Sequence, residues 1–220
     1  MPSPLVPHHM HSYRLLTHAI SPLLPLWLRF RARRGKEDKA RLKERFGHAS
    51  APRPKGTLLW LHAASVGEAN SVLHLIEQMR QAVPSLHILL TTGTVTYTRL
   101  MQSSLLQGVL HQYAPVAAPK ATERFMRHWH PDLAFWVESE LWPNLIRVAD
   151  DYECFMGIIN ARMSERSFQG WQKRKPMIED MLRRFNLVFA QSKADGDRLE
   201  KLGAKDVLCL GNLKYDASLL

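Results

Sequence analysis

From residue 56 onward, apolar runs of strand length alternate with amphipathic stretches of helix length, and this rhythm limits the folds open to the chain. Strands are predicted at Thr57–His62, His87–Thr91, Val109–Tyr113, Leu133–Val137, Cys154–Ile159, Leu187–Ala190 and Val207–Leu210. Helices are predicted near 68–82, 94–106, 119–129, 141–149, 165–184 and 193–202. Continuously apolar strands suit a parallel sheet covered on both faces. The βαβα order then implies an α/β fold with a Rossmann-like, doubly wound parallel sheet. Pro84, Pro131 and Gly203 fall where helix-to-strand turns are expected.

Charge divides the chain before any motif does. Its formal net charge is +10, yet residues 1–55 hold 12 Lys and Arg against 3 Asp and Glu, so the remainder is nearly neutral. This implies an N-terminal arm, residues 1–50, ahead of one main domain, residues 51–220. Within the arm, LLTHAISPLLPLWLRF (15–30) is apolar but short of the roughly 20 residues that span a bilayer, and Pro22 and Pro25 interrupt it. A basic run from Arg29 to Arg45 follows. A Trp-bearing apolar stretch beside a polybasic segment suits an anionic membrane surface, the alternative being a helix packed on the domain with a solvated basic face. No nucleic-acid recognition motif accompanies the charge. Cys154 and Cys209 lie in apolar runs and outside any CxxC pattern, which points to two buried structural thiols.

In a doubly wound sheet, ligands gather beyond the carboxyl ends of the strands, so the loops there are the ones to read. The first strand runs into AASVGEAN. Ser65, Gly67 and Glu68 thus fall at the mouth of a helix, where free N–H groups favour an anion and would keep a carboxylate ionised as a base. An equal alternative is that Glu68 only complements the helix terminus. The second strand ends in TTGTVTYT, where Thr92 and its neighbours could bind phosphate or sugar, or cap a helix. The fourth delivers VESELWPN: Glu138 and Glu140 share one side if the strand continues, with Trp142 and Asn144 as further sugar contacts. The fifth gives NARMSERS, in which Asn160, Arg162, Ser164, Arg166 and Ser167 form a polar, basic loop suited to phosphate or carboxylate. Asn212 and Lys214 follow the last strand. No metal-ligand pattern accompanies the carboxylates.

Taken in order, RFG, LHAASVGE, TTGTVT, YAP, RFMRHWHPD, VESELWPN, NARMSERS, AQS, LGA and GNLKYD resemble the Kdo (3-deoxy-D-manno-oct-2-ulosonic acid) transferases of lipopolysaccharide assembly. The resemblance implies the N-terminal, acceptor-side half of an inverting GT-B glycosyltransferase that moves Kdo from CMP-Kdo to a lipid A precursor (lipid IVA). It also implies a membrane-associating N-terminal helix, no metal or other cofactor, and a place on the cytoplasmic face of the bacterial inner membrane. Glu68 would be the general base and Glu138 and Glu140 would lie near the acceptor cleft. Asn212 and Lys214 would lie towards the second domain. Two departures stand out: few residues follow GNLKYD, where the family enters its nucleotide-binding half, and Ala117 stands where relatives carry Asp. The first leaves several alternatives: a fragment, a truncated gene product, a half that works with a separate donor-binding partner, or a non-catalytic lipid-binding module. Another nucleotide-sugar transferase on the same fold is a further one.

Overall fold

The computed structural model describes residues 8–93, 95 and 108–213; the helix expected over 94–106 and Lys214 lie outside the described residues. The arm forms α1 (His8–Ile20), a 3₁₀ turn at Ser21–Leu23 and α2 (Leu24–Arg33), and a second 3₁₀ turn, Leu42–Phe46, leads into the domain. Then come β1 (Leu58–Ala63), α3 (Val66–Ser71), α4 (Leu73–Ala82), β2 (His87–Thr92) and β3 (Val109–Tyr113). The second half comprises α5 (Pro119–Trp129), β4 (Leu133–Val137), α6 (Pro143–Asp151), β5 (Phe155–Ala161), α7 (Glu165–Gln172), α8 (Lys175–Leu182), β6 (Leu187–Ala190), α9 (Lys193–Lys201) and β7 (Val207–Cys209).

All seven strands pair in parallel, in the order β3-β2-β1-β4-β5-β6-β7, which is the expected Rossmann-like sheet. Strand β1 lies in the middle and is buried along its whole length. Alternation sends Leu58 and Trp60 to one core, with Phe125, Met126, Trp129 and Trp136. Leu59, Leu61 and Ala63 go to the other, with Val72 and Ile76. Two apolar faces on one strand explain why its sequence shows a continuous run rather than alternation. Helix α5 buries Ala121, Phe125, Met126 and Trp129, a stripe at helical spacing that Pro119 opens and the left-handed His130 closes.

Several expectations need correction. Helix 68–82 is two helices meeting at Val72. Helix 165–184 is also two, broken at Lys173 and Arg174, because Pro176 lacks the N–H an uninterrupted helix needs and sits in the first turn of α8 instead. Cys154 is buried, but Cys209 is exposed, because β7 is an edge strand.

The arm is packed on the domain. Leu28 is fully buried in a third apolar cluster with Val116, Ala118 and Ala121. The basic run is partly spent inside the molecule. Glu37 takes Arg31 at 2.7 Å and Arg45 at 3.3 Å, and Glu44 takes Arg41 at 2.7 Å. Glu44 also accepts the backbone N–H of Tyr113, and Arg41 donates to the carbonyl of His111. These contacts cover the outer edge of β3, which would otherwise expose unpaired backbone groups.

Candidate functional site

Beyond the carboxyl end of β1, Ser65 caps α3, its Oγ accepting the Glu68 N–H at 3.2 Å. The Glu68 carboxylate reaches back, accepting Ser65 Oγ–H and the Ala64 N–H, both at 2.8 Å. This is a capping box shifted by one residue, so the helix-terminus role weighed for Glu68 is present. Each carboxylate oxygen accepts one bond here and keeps a second lone pair. Glu68 is only 8% exposed. Burial raises its pKa against the lowering pull of Ser65 and Ala64, and the charges of Glu140 and Glu138 raise it further. Desolvation and like charge thus outweigh the two hydrogen bonds in setting the direction of its pKa shift. Gly67 is exposed, and a Cβ there would meet nothing within 4 Å. Gly93 is more crowded than Gly67, its N–H on the Ala64 carbonyl at 3.3 Å, holding the β1 and β2 loops together.

Strand β4 stops at Val137, so Glu138 and Glu140 do not continue its alternation. Glu138 instead turns into the left-handed region at φ 60°. Both glutamates nonetheless line one cleft of about 230 Å³ with Ser139, Arg162, Ser164 and Ser167. Trp142 donates its indole N–H to Glu140 at 2.8 Å. Ser139 Oγ donates to the Arg162 carbonyl and accepts the Arg162 N–H, tying the β4 and β5 loops together. Ser164 caps α7 through the Ser167 N–H. Glu68 does not line this cleft, although the charges of Glu138 and Glu140 reach it. The arrangement offers carboxylates to hydroxyl groups and an exposed guanidinium to an anion.

Other expected site residues serve the scaffold. Thr92 is buried, its hydroxyl on His111 Nε2 at 3.0 Å. Asn144 is buried and donates to the Ala117 carbonyl at 2.6 Å and to Thr17 Oγ at 2.9 Å, fastening α1 to the domain. Asn160 is buried too; its side-chain oxygen accepts the Leu213 N–H at 3.1 Å. Polar residues in the right loops thus turn inward, which residue type alone does not reveal. Arg166 is exposed but does not line the cleft, and Asn212 is half-buried on the segment leaving β7. Ser167, expected in the basic loop, does line the cleft, and Ser139 is the lining residue not singled out from the sequence. Ser139 went unread because strand alternation would put it opposite the two glutamates.

Two solved structures share the fold. A UDP-N-acetylglucosamine 2-epimerase matches 74% of this chain and 50% of its own, with a TM-score of 0.53 at 12% identity. A putative UDP-N-acetylglucosamine 2-epimerase from Listeria monocytogenes matches 74% of this chain and 47% of its own, with a TM-score of 0.54 at 11% identity. At such identities the likeness concerns the fold alone. Sequence relatives are nearer. A probable mitochondrial 3-deoxy-D-manno-octulosonic acid transferase of Arabidopsis thaliana is 41% identical over 207 residues, 92% of this chain and 46% of that protein. The 3-deoxy-D-manno-octulosonic acid transferase of Rickettsia bellii is 34% identical over 94% of this chain and 49% of its own length. That of Haemophilus influenzae is 34% identical over 93% and 48%. The chain therefore spans about half the length of the curated relatives it matches. Residues 40–217 match the family model for 3-deoxy-D-manno-octulosonic-acid transferase, a stretch that holds both Glu68 and the whole β4–β5 cleft, and the chain belongs to that family.

Proposed function

We propose that this chain is the acceptor-side half of an inverting Kdo transferase, carrying Kdo from CMP-Kdo to a hydroxyl of a lipid A precursor. The observation that carries the reading is that Glu138 and Glu140 line a cleft with the exposed Arg162 while their charges act on Glu68 beyond the neighbouring strand β1. In this reading the acceptor sugar lies in the β4–β5 cleft, its hydroxyls on Glu138 and Glu140 and an anionic substituent on Arg162. The Glu68 carboxylate takes the proton from the attacking hydroxyl. The freed oxygen bonds to the anomeric carbon of Kdo as the bond from that carbon to the CMP phosphate breaks, and CMP leaves with the electron pair. A raised pKa suits this role, since a base works best with a pKa near the operating pH.

The donor site belongs to the nucleotide-binding half, joined in one chain or supplied as a partner. Exposed Leu15, Leu16, Ile20, Leu23, Leu26, Trp27 and Phe30, each 45% to 69% accessible, support a peripheral seat on an anionic membrane for the arm. No helix among the described residues is long and apolar enough to cross a membrane. We assign that seat to the cytoplasmic face of the bacterial inner membrane.

The test is Glu68→Gln in an enzyme containing both halves. Transfer should fall roughly 10²- to 10⁴-fold, with lipid IVA binding by this half retained. Near-normal transfer would leave Glu68 with its capping role alone.

A further inference from the structure

His62 is on β1, three residues ahead of the Ser65 cap, and only 1% exposed. Alternation puts it on the same face as Leu58 and Trp60. A buried imidazole is an expensive way to fill a core, since each ring nitrogen without a partner carries its desolvation penalty. Here one nitrogen is satisfied: Nδ1 lies 3.0 Å from Thr91 Oγ. That hydroxyl already accepts the Trp60 indole N–H at 2.8 Å, and the Leu61 carbonyl, at 3.5 Å, is a poor acceptor for its proton. The contact ties Nδ1 to a hydroxyl that is itself fixed by Trp60. Nε2 is buried and has no hydrogen-bond partner among the described residues.

The ring meets the functional cleft through one neighbour. Trp142 stands perpendicular to it, with ring centroids 6.2 Å apart and planes at 88°, within the range of edge-to-face aromatic pairs. Trp142 is the residue whose indole N–H holds Glu140. A continuous line thus runs from the buried Trp60–Thr91 bond, through His62, to a carboxylate that lines the cleft.

We propose that His62 is a positioning residue for this cleft: fixed by the Thr91 hydroxyl, its ring seats the Trp142 indole, which holds the Glu140 carboxylate to receive an acceptor hydroxyl. The proposal rests on the reading of Glu140 as an acceptor contact. Its logic is geometric. A phenyl ring would fill the space, but with nothing for Thr91 to grip its rotation is free. An asparagine would give Thr91 a hydrogen-bond partner near the position of Nδ1 but leave Trp142 without a ring to stand against. His62 supplies both. Burial brings its pKa down to about 4, so the ring stays uncharged at neutral pH and puts no charge beneath Trp142.

The six tryptophan indole N–H groups give separate signals in a proton–nitrogen correlation spectrum of this chain, and the one lost in Trp142→Phe identifies Trp142. In both His62→Phe and His62→Asn that signal should move upfield and exchange with water roughly tenfold faster, the scale of one weakened hydrogen bond. Both variants should also bind lipid IVA in detergent micelles roughly three- to tenfold more weakly. Should His62→Phe fail to fold, His62→Asn carries the same comparison. An indole signal unmoved in the His62 variants overturns the link itself. A moved signal with unchanged lipid IVA binding in Glu140→Gln overturns the acceptor reading, and the positioning role with it.

Discussion

Glu138, just past the end of β4, and Asn160, at the irregularity near the end of β5, both lie in the left-handed backbone region, at φ 60° and 55°. The Glu138 N–H still completes the ladder, donating to the Ile159 carbonyl at 2.9 Å, so the two strands are held together up to these residues. Neither position is a glycine, although such a conformation costs a side-chain-bearing residue about 1–2 kcal/mol. At Asn160 the side chain returns something by anchoring Leu213. At Glu138 it points a carboxylate into the cleft.

Strain accepted for function leaves a recognisable trace. Glu138→Gly is expected to leave the midpoint of urea unfolding unchanged or raised, because glycine adopts this conformation freely. Glu138→Val should lower stability by about 1–2 kcal/mol, since a branched Cβ suits that region least. Both variants should weaken lipid IVA binding alike. A glycine variant as destabilised as the valine one would show that the carboxylate, and not the backbone, matters to folding.

The Glu68 carboxyl gives a pH signature with a definite sign. Its folded pKa lies above the unfolded value, so the charged form is the one the fold disfavours. Its favourable share of stability is complete below the unfolded pKa, near 4.5, and is lost as pH rises through the folded one. Glu68→Gln removes that loss while keeping an acceptor for Ala64. The variant should melt higher than the parent at pH 8, and the gap should close as pH falls towards 4. A gap that widens in acid would contradict the raised pKa.

His62 works in the opposite direction. Its pKa falls from 6.5 to about 4, so between those values the unfolded chain binds a proton that the folded one refuses. Stability should drop as pH falls through that window, by about 3 kcal/mol in all from this group. His62→Phe should flatten the slope between pH 6.5 and 4, even where it lowers stability at pH 7. An unchanged slope would mean that the protein relaxes to hydrate the ring.

The sheet was legible because burial on both faces writes itself as unbroken apolar runs such as LLWLH, and six of the seven expected strands end within one residue of the observed ones. The seventh, β5, runs two residues further, to Ala161, through an irregularity in its pairing with β6. Side-chain direction was harder to read. Asn144, Asn160 and Thr92 carry the right groups in the right loops, yet their partners are Ala117, Leu213 and His111, distant in sequence or on another strand. Only Pro176 hinted at the break between α7 and α8. His62 passed as one more strand residue, although a histidine inside an otherwise apolar run was a signal that could have been followed.

The arm shows most clearly how paired and free charge look alike in a sequence. Arg31, Arg41 and Arg45 bond to Glu37, Glu44 and the backbone at the β3 edge, whereas Arg29, Arg33, Arg34, Lys36, Lys39 and Lys43 are exposed. Arg34 stacks over Phe30, itself beside exposed Trp27 and Leu26, so free charge and apolar surface adjoin. If this face meets lipid, replacing Arg29, Arg33 and Lys36 by glutamine should weaken binding to vesicles containing anionic phospholipid by about 1 kcal/mol per residue, with the melting temperature preserved. Trp27→Ser with Leu26→Ser should reduce binding at high salt as well, because burial of apolar surface is not screened. Arg45→Gln should do the reverse: it strands the buried Glu37 with less compensation and should lower stability by several kcal/mol, with little effect on vesicle binding by the folded fraction. Vesicle binding that falls as far in Arg45→Gln as in the three glutamine replacements would mean the whole basic run acts as one diffuse charge, and the division between scaffold and docking arginines would be wrong.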